Sequence, residues 1–177
     1  RRQGFDSLSP LQHYQCIKMR TKMDINFVKN FISTSSETSK IYLGADSTRY
    51  TKNEVWHADY TLAAVIHYDG CHGCKIFGEI QSQRDFDQRR DRPRYRLMNE
   101  VYKVAGLYIE LAESIGDRHF EIHLDINSDS KQGSYCVMQE AIGYIRAMCN
   151  VVPMVKPNAF AATYAADRYK SITKMTA

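Results

Sequence analysis

Four acidic residues stand in surroundings where a carboxylate adds little to solubility. Asp46 ends the run Ile41-Tyr42-Leu43-Gly44-Ala45, Glu100 lies in Arg96-Leu97-Met98-Asn99-Glu100-Val101, Asp125 in Ile122-His123-Leu124-Asp125-Ile126, and Asp167 follows Ala165-Ala166. With Glu110 they fall outside any obvious salt-bridge pattern. Several carboxylates at one point suit a specific chemistry. A phosphodiester is anionic and resists attack by water, and two Mg²⁺ or Mn²⁺ ions about 4 Å apart can activate the nucleophile and stabilise the leaving oxygen. Such hard ions take oxygen ligands and keep some of their water, so three or four carboxylates suffice. Without cations the cluster repels itself and its pKa values rise. The plainer alternative is that each acid is a cap or part of a solvated rim.

The elements that must position these residues are legible from periodicity. Asp24 can N-cap a helix carrying Ile25, Phe27, Val28, Phe31 and Ile32, which the run Ser33 to Ser39 breaks. Residues 41–47 form a short apolar run with no polar face, as expected of a strand buried on both sides and ending at Asp46 and Ser47. A second strand is expected over Tyr60 to Tyr68, the turn Asp69-Gly70 follows, and a third strand runs through Lys75 to Ile80. Leu97, Val101, Val104, Leu107, Tyr108 and Leu111 mark a helix from about Tyr95 to Ser114, which Gly116 terminates. A fourth strand spans Phe120 to Ile126, a helix Ser134 to Met148, a fifth strand Val151 to Val155, and a last helix Ala159 to Ile172. Tyr102, Tyr108, Tyr144 and Tyr164 are read as helical core positions.

The order β-β-β-α-β-α-β-α, preceded by a helix, gives a mixed five-stranded α/β sheet with helices on both faces, the element order of the ribonuclease H-like fold. Residues 1–23 read as an N-terminal extension and 24–177 as the domain. If the first and fourth strands are neighbours, Asp46 and Asp125 lie side by side at one edge of the sheet, where ligand sites of open α/β sheets sit.

These segments resemble the YkuK-type ribonuclease H-like family, a group of bacterial and phage proteins. The matching stretches are Tyr42 to Ser47, Arg96 to Val101, Ile122 to Ile126, and Lys156-Pro157 followed by Ala161-Ala162 and Ala166-Asp167-Arg168-Tyr169. The resemblance implies metal-dependent nuclease ancestry. It implies that Asp46 is the first-strand aspartate bridging both metals, Glu100 the helix glutamate, Asp125 the fourth-strand aspartate and Asp167 the last-helix acid. Glu110 is the fallback for the glutamate, ten residues deeper in the helix. Lys156, near the end of the fifth strand and facing the site in this topology, can contact a phosphate as a point charge, the plainer alternative being a solvated surface lysine.

Other residues are read beside simpler roles. Ser47 can orient water on a metal or bond its own backbone. Arg84, Arg89, Arg90, Arg92, Arg94 and Arg96 crowd one loop, where they can pair with phosphates while Phe86 or Tyr95 stacks on bases. Asp85, Asp87 and Asp91 interleave with them, so a self-neutralised loop is an equal alternative. Cys71-His72-Gly73-Cys74, even with His67, is half a zinc site at most and reads as a plain turn. His123 shares a face with Asp125 and reads as a packed strand histidine before a general base.

The net charge of +4 is compatible with nucleic acid without requiring it, and does not separate DNA from RNA. No apolar run approaches the roughly 20 residues that span a bilayer, and Arg1 to Pro10 show no apolar signal region. Five scattered cysteines do not resemble a disulfide framework, which points to a reducing, cytoplasmic setting. The expected function is two-metal phosphodiester hydrolysis of nucleic acid. The alternative is a catalytically inactive module of the same fold that binds nucleic acid or protein.

Overall fold

The computed structural model describes residues 22–70, 73–159 and 165–171. Nearly all of the expected N-terminal extension, residues 1–21, lies outside them, as do Cys71, His72 and Tyr164.

Helix α1 spans Ile25–Thr34, and the Asp24 side chain accepts from Phe27 N at 3.1 Å as the sequence predicts. Strands β1 (Lys40–Lys52), β2 (Val55–His67) and β3 (Cys74–Arg84) form the antiparallel meander. Helix α2 runs Arg94–Ile115 and ends at Gly116, whose φ of 56° favours a residue without Cβ. Strand β4 is Phe120–Asn127, α3 is Met138–Cys149 and β5 is Met154–Lys156, while 165–171 form a further helical stretch, α4. The sheet order is β3-β2-β1-β4-β5, with β4 parallel to β1 and β5 parallel to β4.

Alternation along the strands sorts side chains into two layers. Ile41, Leu43 and Ala45 of β1 and Ile122, Leu124 and Ile126 of β4 face the large core under α1, α2 and α3. Ala63 and Val65 of β2 face the opposite side, where Ala165 of α4 covers them. Helices therefore lie on both faces, and α2 brings its apolar stripe across β1.

Several boundaries differ from the sequence reading. β1 does not end at Asp46. It continues to Lys52 because Asn53 (φ 49°) and Glu54 (φ 61°) make a two-residue hairpin turn, which prolongs the pairing with β2 beyond the buried part. The polar residues there hid the strand from a reading based on apolar runs. The helix expected from Ser134 starts as a 3₁₀ turn, Gly133–Val137, before α3. β5 begins at Met154 rather than Val151. Tyr102 is exposed rather than core, lying beside the α2 stripe and meeting Tyr144 edge-on at 4.8 Å.

Gly78 of β3 touches the ring of Tyr169, and a Cβ built there would lie 2.7 Å from two ring atoms. Gly78→Ala should force the ring off the sheet and loosen α4, costing about 1–3 kcal/mol. The expected drop in melting temperature is several degrees, read by thermal denaturation. An unchanged melting temperature would mean that α4 does not rest on this contact.

Candidate functional site

Asp46 and Asp125 are placed by strand pairing. β1 and β4 run parallel through Gly44↔His123 and Ala45↔Leu124, and the pairing stops there. Asp46 and Asp125 are the next residue on each strand, so they sit beside each other where the strands part. Alternation puts them on the face opposite Ala45 and Leu124, the face that also carries Tyr42 and His123, whose rings meet at 5.5 Å.

Each aspartate receives an ammonium. Lys170 of α4 contacts Asp46 Oδ2, and its Nζ also lies 3.2 Å from Thr48 Oγ1 and 3.8 Å from Asp167. Lys156 of β5 contacts Asp125 Oδ1. Asp125 Oδ1 is buried and has no hydrogen bond besides this ion pair. Thr61 Oγ1, on the residue paired with Asp46, is buried without a hydrogen-bond partner. Asp46 and Asp125 were expected to lie outside ion pairs; the lysines come from elements too distant in sequence for the pattern to reveal them.

Glu100 approaches from the other side of β1. It lies in the second turn of α2 and is 3% exposed. Ser47 Oγ donates to Glu100 Oε1, and Arg96 Nη1 is 3.6 Å from the same oxygen and donates to the Ser47 carbonyl at 3.0 Å. Burial pushes the Glu100 carboxyl up to about 8; the Ser47 hydrogen bond and Arg96 oppose the rise, while the charges of Asp46 and Asp125 add to it. Three acids from β1, β4 and α2 thus sense one another. Asp167 stands at the exposed rim, tied to them through Lys170. Glu110 is exposed ten residues further along α2, on a separate cavity with Lys22, Lys29 and Lys103, and takes no part.

The start of α2 is fixed by the arginine loop. Pro93 offers no side-chain cap, and the Asp87 carboxylate takes over, accepting from Tyr95 N and Arg96 N at 2.8 Å each. Asp85 is buried, accepts from Asp87 N at 2.9 Å and faces Arg49 Nε at 2.7 Å. The loop is therefore not neutralised arginine by aspartate. Asp91 alone serves a loop arginine, Arg89, at 2.9 Å.

The sequence reading missed Lys170 and gave Arg96 no separate role. Lys170 had one signal, its position one turn after Asp167 on the same helix. Ser47 bonds Glu100 rather than its own backbone. His123 is fully buried and bonded to Glu121 at 2.8 Å, as a packed strand histidine should be. Burial works against the Glu121 charge, but hydrogen bonds from His123 and His119 hold its carboxyl below the usual range. Cys74 is an exposed free thiol.

The donor set offered to a cation is all oxygen, which suits a hard divalent ion. The unpartnered hydroxyl of Thr61 marks a place where a ligand or ordered water would be accommodated. Among the described residues no group of three or more His, Cys, Asp or Glu side chains stands close enough to hold a metal. Among the described residues no helix is long and apolar enough to cross a membrane.

Searches of curated proteins and of solved structures give no significant match. The sequence model of the family described as ribonuclease H-like, by contrast, matches residues 24–171. That span takes in Asp46, Glu100, Asp125, Lys156, Asp167 and Lys170. With the strand order and the two neighbouring strand aspartates, it establishes that the chain belongs to the ribonuclease H-like family.

Proposed function

We propose that the protein hydrolyses phosphodiester bonds in nucleic acid with divalent cations, Mg²⁺ or Mn²⁺, held by Asp46, Asp125 and Glu100, with Asp167 at the rim. The observation that carries this reading is that two aspartates on adjacent parallel strands each already seat a cation, in the form of a lysine ammonium. A pair of divalent ions in those seats would supply nucleophile activation and leaving-group stabilisation. The chain supplies the rest. Asp46 and Asp125 offer carboxylate oxygens from rigid strands, and Ser47 with Arg96 orients Glu100. Lys156 and Lys170, released from the aspartates, remain as point charges for a phosphate.

A labelled single-stranded oligonucleotide incubated with Mn²⁺ should be cut, and excess chelator should stop the cutting. DNA, RNA and hybrid substrates in parallel give the preferred class. Metal binding without cleavage of any of them would contradict the reading.

One observation favours a second reading, a module that binds nucleic acid without cutting it. The same two lysines leave both aspartates neutralised, so the fold needs no metal to relieve their repulsion. In that case removing the carboxylates would strengthen salt-sensitive binding, because they repel phosphate.

A further inference from the structure

At the hairpin end of β1 and β2, near the start of α2, lies a surface of a different composition. Trp56, at the start of β2, is 46% exposed, and the Arg49 guanidinium lies 4.2 Å from its ring centroid. Asp85 N donates to Trp56 O at 2.9 Å, so the next residue, Phe86, is held near the same sheet corner. Phe86 is 57% exposed and meets Tyr95, 43% exposed, edge-on at 5.3 Å. Arg84 lies 5.1 Å from the Phe86 ring. Three large rings stay about half exposed although they touch one another or an arginine, and exposed apolar area gathered in one place marks an interaction surface.

The charge beside them is not spent internally. Asp85 is taken by Arg49, Asp87 by the α2 N–H groups and Asp91 by Arg89. Arg94 pairs with Glu140. Among the described residues Arg84, Arg90 and Arg92 are exposed and have no carboxylate partner. Tyr95 also precedes Arg96, which holds Ser47 and borders Glu100, so the start of α2 joins this surface to the Glu100 side of the site.

We infer that this surface binds single-stranded nucleic acid, stacking bases on Trp56, Phe86 and Tyr95 and holding phosphates with Arg84, Arg90 and Arg92. Rings interleaved with unpaired arginines suit unstacked bases on a charged backbone. A duplex hides its base faces and would use the arginines alone. The inference rests on the nucleic-acid reading above and names the substrate form and the residues that select it.

Trp56 is the chain's single tryptophan, so its fluorescence reports this surface directly. The test titrates the full chain with oligo-dT and with oligo-U in chelator, against a duplex of equal length. Saturating single strand should quench Trp56, and the two oligomers separate DNA from RNA. Trp56→Ala and Phe86→Ala should each weaken binding about tenfold by anisotropy. Trp56→Phe should keep most of the affinity, and Arg90→Gln with Arg92→Gln should reduce the salt slope by about 0.7 per arginine. Binding without quenching, or equal affinity for the duplex, would overturn the inference while leaving cleavage at Asp46 and Asp125 untouched. Loss of Mn²⁺-dependent cleavage in Asp46→Asn with single-strand binding intact would support both. Neither binding nor cleavage of any oligonucleotide by the wild type would overturn the functional reading itself.

Discussion

Asp46→Asn should lower divalent-dependent cleavage by about a thousandfold or more, and Asp125→Asn should do the same. Removing one carboxylate from a pair that shares two cations costs several kcal/mol of charge stabilisation, and each 1.4 kcal/mol or so is tenfold in rate. The fold should survive, because both side chains lie where β1–β4 pairing has ended and neither belongs to the apolar core. Asparagine keeps the shape and loses the charge. Lys170 and Lys156 then lose a partner in the metal-free protein, and since the Asp46–Lys170 pair is mostly buried, Asp46→Asn should also lower the melting temperature while leaving the protein folded. Single-turnover cleavage with melting controls makes the comparison. Full activity in both variants would remove these residues from the chemistry.

The second large effect is on stability and concerns Glu100. With its carboxyl pushed from 4.5 to about 8 by burial, the folded protein keeps a proton that the unfolded chain has released. The sign follows from linkage. Stability from this group is fully present below the unfolded value and is lost as pH rises through the folded one. Metal-free protein should therefore lose about 1 kcal/mol per pH unit between pH 5 and 8 from Glu100. Asp46 and Asp125 add to the effect from the strands, while Arg96 and the Ser47 hydroxyl oppose it. Glu100→Gln should flatten the dependence and stabilise the metal-free protein most at pH 8 and above. Urea midpoints at pH 5, 7 and 9 for the two proteins decide it; parallel curves would show that Glu100 is ionised and comfortable when folded.

The sequence made some of this visible and hid the rest for physical reasons. Asp24 announced α1, and the apolar stripe from Leu97 to Leu111 announced α2, because capping and periodicity are local properties. Asp46, Glu100 and Asp125 stood out as charges within apolar runs, and strand neighbourhood followed from element order. The hairpin extension of β1 was hidden, since Arg49 to Lys52 are polar and paired on one side only. Lys170 and Lys156 were hidden as partners because each ion pair joins distant elements. Asp87 read as one acid of a charged loop, whereas it caps α2 across eight residues of chain, and no short-range pattern records that.

The proposed chemistry depends on Asp46 belonging to a site for divalent cations. Melting the wild type and Asp46→Asn over a titration of Mg²⁺ or Mn²⁺ tests it most directly. A cation bound at a hundredfold excess over its dissociation constant stabilises the native state by about 2.7 kcal/mol, or roughly 5–10 °C for a domain of this size. A rise of that order is expected in the wild type and should vanish in Asp46→Asn. No rise in the wild type at millimolar metal, or the same rise in both proteins, would contradict it.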